Sequence, residues 1–138
     1  MNGAIDIHHH ILPPAYLTAL GGRLGPQGLF GSPPQWSPAI SIEAMDRNGV
    51  RAAITSISAP GVWFGDVAET CKLARACNEY AAQMKRDFPG RFGLFATLTL
   101  PDVETSLREI DYAFGTLGAD GVVLMTNYDG RYPGEETF

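Results

Sequence analysis

Four short apolar runs, separated by segments of helical periodicity, constrain this 138-residue chain more than any other feature. The runs are Ala4 to His8, Arg51 to Ser58 ("RAAITSIS"), Arg91 to Leu98 ("RFGLFATL") and Gly121 to Met125 ("GVVLM"). A strand with one wet face alternates apolar and polar residues. These runs are nearly continuous, as in parallel strands covered on both faces. Between them, Ser41 to Asn48 reads as a short helix with Ile42 and Met45 inward, closed by Gly49. A longer helix runs from about Asp66 to Phe88 and stops at Pro89-Gly90. Pro101-Asp102 opens a third, with Asp102 as N-cap, apolar positions at Val103, Leu107, Ile110, Phe114 and Leu117, and Gly118 as the terminal cap. Leu12 to Pro38 is rich in Pro and Gly and shows no sustained periodicity, so a long irregular excursion is expected there. An excursion of that length inside a compact domain is usually functional.

The order strand, helix, strand, helix, strand, helix, strand predicts an α/β fold with a parallel sheet. A doubly wound sheet and part of a (β/α)8 barrel both satisfy it. The first strand runs into His8-His9-His10 rather than into the G-x-G-x-x-G turn of dinucleotide-binding folds, which favours the barrel. A whole barrel takes about 250 residues. Four strands and three helices are about half of one, so residues 1–138 are expected to form a partial barrel domain that stops after the fourth strand.

Charge narrows the partners. Ten Lys plus Arg against 15 Asp plus Glu give a formal net charge of −5, which repels a phosphate backbone on average and argues against nucleic acid. No stretch reaches the ~20 apolar residues of a membrane span, and the first residues lack the basic-then-apolar order of a signal peptide. A cytoplasmic protein without membrane contact is expected. Cys71 and Cys77 lie six residues apart in the long helical pattern, a rise of about 9 Å, beyond the roughly 7 Å that a disulfide spans between Cα atoms. Buried free thiols follow.

The chemistry-bearing feature is "IDIHHHILPP", Ile5 to Pro14. Strict alternation along a strand would put Ala4, Asp6, His8 and His10 on one face and Ile5, Ile7, His9 and Ile11 on the other, the apolar set packing under helices. His8 and His10 would then project together from the C-terminal end of the first strand, where barrel active sites lie. Two residues of rise put their Cα atoms roughly 6.6 Å apart, a separation from which two imidazole nitrogens can reach one cation at ~2.1 Å each. Isoleucines on both sides argue against a tag remnant, while solvated or core histidines without a metal remain the other reading. His9 points away and is expected to pack or to support its neighbours. Asp6, about two residues deeper, is expected to be a hydrogen-bonded structural carboxylate.

These residues resemble the first strand of the amidohydrolase-related group that contains aminocarboxymuconate-semialdehyde decarboxylase. The similarity continues through "SIEAMDRNGVRAAITSIS", "CNEYAAQMKRDFPGRFGLFATLTLPD" and "GADGVVLMTNYDGRYPG", nearly the whole chain. "SISAPGVWFGD" and "GRFGLFATLTLPD" resemble most the branch that holds 6-methylsalicylate decarboxylase. The resemblance implies a (β/α)8 enzyme with one divalent metal, zinc or sometimes manganese, held in part by His8 and His10, and no organic cofactor. It also implies a His after strand five, a His after strand six and an Asp after strand eight, which would lie beyond Phe138. His rather than Glu at position 8 departs from the E-x-H of the resorcylate decarboxylase branch.

The activity so implied is metal-dependent, non-oxidative decarboxylation of an aromatic or unsaturated carboxylic acid. Trp63 and Phe64 could wall an aromatic substrate. Asn127 and Arg131, which with Tyr128 follow the fourth strand, and Arg23 in the long loop, are candidate contacts for its carboxylate. A metal-dependent hydrolase of the same superfamily, an amidohydrolase or lactonase, is the second reading. A non-catalytic fragment is the third, because two imidazoles alone leave a divalent ion mostly water-coordinated. A half-barrel also exposes two strand edges, which favours self-association, and a homodimer is expected of the full-length protein.

Overall fold

The computed structural model describes the backbone of residues 3–24, 35–136 and 138, and the side chains of 22–24 lie outside the described part. The elements are β1 (Ala4–His10), α1 (Pro14–Leu24), α2 (Pro38–Arg47), β2 (Val50–Ser56), α3 (Val67–Asp87), β3 (Phe92–Thr97), α4 (Val103–Tyr112) running into a π turn (Ala113–Leu117), and β4 (Gly121–Val123). Each strand pairs in parallel with the next, giving the order β1-β2-β3-β4. A doubly wound sheet reverses its order at a switch point, whereas a barrel keeps winding in one sense. The four strands form half of a (β/α)8 barrel, as the sequence order predicts.

Local chemistry sets the helix boundaries. Ser37 caps α2, its Oγ accepting from Ile40 N, and Pro38 follows at a position where its missing N–H is not needed. Asp66 caps α3 through Glu69 N at 2.7 Å, and Asp102 caps α4 through Thr105 N at 2.8 Å. Gly118, at φ +67°, turns the chain left-handed after the π turn, the role expected of it. The main core lies between the sheet and α1 to α3, where Ile11, Tyr16, Met45, Ala53, Ala74, Cys77, Ala81 and Leu94 are buried.

Several expectations are corrected. The segment after β1 is not irregular throughout, because Pro14–Leu24 is helical. Pro14 starts α1, Tyr16 is buried with its hydroxyl donating to Ser58 O at 3.0 Å, and Leu20 packs on the core. Tertiary packing thus stabilises a helix whose Gly21-Gly22 pair hides it from periodicity. There are accordingly four α-helices among the described residues, not three. α2 begins three residues before the expected Ser41, and β4 ends two before Met125.

The helix at 103–112 turns only part of its expected apolar stripe inward: Ile110, and Leu117 of the following π turn, pack against the core. Leu107 is 58% and Phe114 47% exposed, while Ser106, Glu109 and Ala113 are buried. Polar contacts select that face. Glu109 receives Arg75 Nε at 2.9 Å and Asn78 Nδ2 at 2.8 Å from α3, and Ser106 Oγ lies 3.1 Å from Thr99 Oγ1. Both cysteines are free; Cys77 is buried as expected, but Cys71 is only partly so.

Candidate metal centre

The register of β1 on β2 holds the first determinant of the site. Asp6 pairs with Ala53 and His9 with Thr55, so three steps on β1 oppose two on β2, a bulge. Strict alternation therefore fails between Asp6 and the histidines. Asp6 does not share the face of His8 and His10; it sits on the side of His9, its Oδ2 3.1 Å from His9 Nδ1. Its Oδ1 accepts from the backbone N–H of His8 at 2.9 Å. That peptide bond and the His9 ring hold the Asp6 carboxyl below its ordinary value against the opposing effect of burial. Ile5 and Ile7, expected to pack under helices, are 52% and 67% exposed. The structural role expected for Asp6 is what the geometry shows.

His9 is the half-buried member of the triplet. Its ring centroid lies 6.3 Å from that of Phe92, and its Nε2 lies 2.9 Å from Ser41 Oγ. The same hydroxyl accepts from Trp36 Nε1 at 3.0 Å. With both ring nitrogens engaged, His9 supports its neighbours and is not turned toward His8 and His10.

His8 and His10 converge. Their rings meet edge to face with centroids 4.7 Å apart, and the two Nε2 atoms are 3.1 Å from each other. With bonds of ~2.1 Å to each nitrogen, that spacing subtends about 95° at a shared cation, an ordinary ligand angle. His10 Nδ1 lies 3.2 Å from Ser56 Oγ at the end of β2. A proton on Nδ1, donated to that hydroxyl, leaves the Nε2 lone pair to the site. Burial first, and the neighbouring His8 second, push the His10 imidazole below its ordinary value. That favours the neutral, ligating form. The pair therefore fits a divalent cation as two of its ligands. Among the described residues, no group of three or more His, Cys, Asp or Glu is placed to hold one.

The other candidates make contacts of their own. Phe64 lines a recess of about 290 Å³ between α1 and α3, with Ala15, Ala19, Val62, Leu73 and Ala76. Trp63 is half-buried in the same loop, and Gly61 of that loop approaches the Met125 side chain beyond β4. Asn127 closes a local turn, its Oδ1 accepting from Gly130 N at 3.3 Å. The Arg131 guanidinium lies over the Phe138 ring at 5.7 Å, and its backbone pairs with that of Tyr128. The Arg23 side chain lies outside the described residues. Reading the sequence missed Ser41 and Ser56. Ser56 carried one usable signal, its position at the end of the neighbouring strand, whereas nothing local marks Ser41, 32 residues from His9.

Comparison with known proteins bears on the family and the fold. A family model described as amidohydrolase matches residues 5–137. The decarboxylase yanB of Aspergillus niger is 41% identical over 97% of this chain and 38% of its own length. The 6-methylsalicylic acid decarboxylase of Penicillium expansum is 40% identical over 90% of this chain and 39% of its own. The chain thus spans about two fifths of the length of these curated relatives. A crystal structure of an amidohydrolase II superposes with a TM-score of 0.89 at 32% identity, covering 98% of this chain and 44% of that one. A dihydroxybenzoic acid decarboxylase from a Polaromonas species, solved with manganese and 2-nitroresorcinol, gives 0.70 at 27% identity, covering 88% and 38%. The half-barrel, the convergent histidines at its first strand and the match along almost the whole sequence lead to one assignment: this chain belongs to the amidohydrolase family.

Proposed function

We propose that this chain supplies the first-strand ligands of a divalent-metal site in a non-oxidative decarboxylase of aromatic or unsaturated carboxylic acids. The observation that carries the reading is the 3.1 Å approach of His8 Nε2 and His10 Nε2, in a chain 41% and 40% identical to proteins named decarboxylases. In this reading residues 1–138 are the front part of the barrel domain, and a His, a His and an Asp beyond Phe138 complete the ligand and proton-handling set. Zinc is the proposed ion, with manganese the alternative, and no organic cofactor is needed.

When bound, the cation would supply Lewis acidity toward a substrate carboxylate and a neighbouring hydroxyl. The residues of this chain do the holding. His8 and His10 present lone pairs, Ser56 keeps the His10 proton on Nδ1, and Asp6 anchors the His8 peptide. Arg131 is proposed to meet the substrate carboxylate, since a guanidinium stacked on a ring keeps its in-plane donors available. Asn127 and Arg23 are proposed as further polar contacts, and Trp63 and Phe64 as the apolar wall. Full-length protein is proposed to be a cytoplasmic homodimer that engages neither nucleic acid nor membrane. No helix among the described residues is long and apolar enough to cross a membrane.

The test is carbon dioxide release from hydroxybenzoates such as 6-methylsalicylate by full-length protein, run beside His8→Ala and His10→Ala variants assayed for bound metal. Release that disappears together with the metal in both variants supports the proposal. Hydrolysis or ring opening without carbon dioxide transfers the chain to the hydrolase reading, and metal content unchanged in both variants removes the site.

A further inference from the structure

We infer that Trp36, Ser41 and His9 form a directional hydrogen-bond relay that ends on Asp6 and, through it, sets the backbone position of His8 against His10. The consequence for ligand affinity rests on the reading of His8 and His10 as metal ligands; the relay itself rests on geometry alone.

The proton on each link follows from donor capacity. An indole N–H only donates, so at 3.0 Å from Trp36 Nε1 the Ser41 oxygen accepts. An ionised carboxylate only accepts, so at 3.1 Å from Asp6 Oδ2 the His9 Nδ1 carries the proton. In neutral His9 the other nitrogen, Nε2, is then an acceptor, and its partner at 2.9 Å, Ser41 Oγ, donates to it. Every proton points the same way, from Trp36 to Ser41 to His9 to Asp6, the arrangement in which successive bonds polarise one another. The second oxygen of Asp6 takes the His8 N–H at 2.9 Å.

The relay spans the second of two slips in the ladder of β1 on β2, the one between Asp6 and His9; the first lies between Ala4 and Ile5. A bulge leaves its extra residue without a ladder partner, so side-chain contacts decide its shape. Here those contacts come from outside the strand. Ser41 is buried in α2, and the Trp36 ring rests 6.3 Å from that of Tyr80 on α3. The packing of α2 and α3 is thereby transmitted to the His8 peptide, two residues from His10. Trp36, Ser41 and His9 are positioning residues in this account, since none of them faces the His8–His10 pair.

The test uses the full chain with ¹⁵N-labelled histidine, free of metal, in wild type, Trp36→Phe, Ser41→Ala and Ser41→Thr. Two-bond ¹H–¹⁵N spectra read the tautomer of His9 and the ring shifts of His8 and His10, and competition with a chromophoric chelator reads zinc affinity. The expected result is His9 protonated on Nδ1 in wild type, with mixed tautomers and displaced His8 and His10 shifts in Ser41→Ala. Zinc affinity falls roughly 10-fold in Ser41→Ala and Trp36→Phe, at unchanged circular dichroism, and Ser41→Thr restores both readouts. His9 protonated on Nε2 in wild type overturns the relay, as do unaltered His8 and His10 shifts in Ser41→Ala. The metal reading fails separately: if His8→Ala and His10→Ala keep wild-type zinc affinity, or wild type binds no zinc, the spectra alone decide the relay.

Discussion

The carboxamide of Asn78 occupies both hydrogen-bonding positions of the Thr97 peptide: Thr97 N donates to Asn78 Oδ1 at 2.8 Å, and Asn78 Nδ2 donates to Thr97 O at 2.9 Å. A side chain from α3 thus does at the end of β3 what a neighbouring strand does in a ladder. The same Nδ2 reaches Glu109 of α4, which is 4% exposed and clamped by Arg75 Nε and an Arg75 terminal nitrogen. One buried residue ties two helices to the strand whose end faces the barrel mouth.

Replacing Asn78 strands those groups. Asn78→Leu leaves the N–H and C=O of Thr97 without these partners, and unsatisfied buried groups cost about 1–3 kcal/mol each. A loss of about 3 kcal/mol in urea unfolding is expected. Asn78→Asp should be at least as damaging, because it removes the donor to Thr97 O and sets a second carboxylate beside Glu109. A double-mutant cycle with Arg75→Met should be non-additive, since both residues serve Glu109.

Alkaline pH should reveal the buried thiol. Burial raises Cys77 from its ordinary 9.0 to about 12, and burial raises the Tyr16 hydroxyl as well. A group whose folded value is raised contributes stability that is complete below its unfolded value and is lost as pH climbs to the folded one. Thermal stability should therefore fall as pH rises from 9 toward 12, and Cys77→Ala should lose less over that window. An identical decline in the variant would refute the assignment. Iodoacetamide should modify Cys71, the more exposed of the two, before Cys77.

Gly93 has no room for a methyl group. A Cβ there would stand 2.5 Å from Ile54 Cδ1 and 2.9 Å from Asp120 Oδ2. The isoleucine end can yield, but the carboxylate oxygen is held by Leu94 N and Lys85 Nζ, each at 2.8 Å. Gly93→Ala is expected to cost about 1–3 kcal/mol, the range for overpacking. Adding Ile54→Val should recover part of it in denaturant titrations.

Ser56 offers a direct probe of the metal site. Ser56→Ala removes the partner of His10 Nδ1 and frees the ring to change tautomer. Zinc affinity should drop about 10-fold, within the range for losing such a supporting contact, while His8→Ala and His10→Ala drop it further. Equal affinity in Ser56→Ala and wild type, measured by chelator competition, would show that the hydroxyl does not set the tautomer.

The succession of elements was legible in the sequence because it depends on local signals. Apolar runs mark the strands, Asp66 and Asp102 stand where helices need N-caps, and Gly118 stands where the chain turns left-handed. The convergence of His8 and His10 was legible for the same reason, since residues two apart on one strand share a face. Exposure was not legible. Leu107 and Phe114 follow a helical stripe yet face outward, because Glu109 and Ser106 find their partners on α3 and near Thr99, contacts that no local pattern carries.

What the sequence by itself determined is the winding order, the helix caps and the H-x-H pair, all products of spacing within a few residues. Only the tertiary structure decided which way Asp6 and His9 turn. A strand alternates faces by geometry alone until its ladder slips, and the contact at this slip comes from Ser41, itself bonded by Trp36, which meets β1 only when the chain has folded around it.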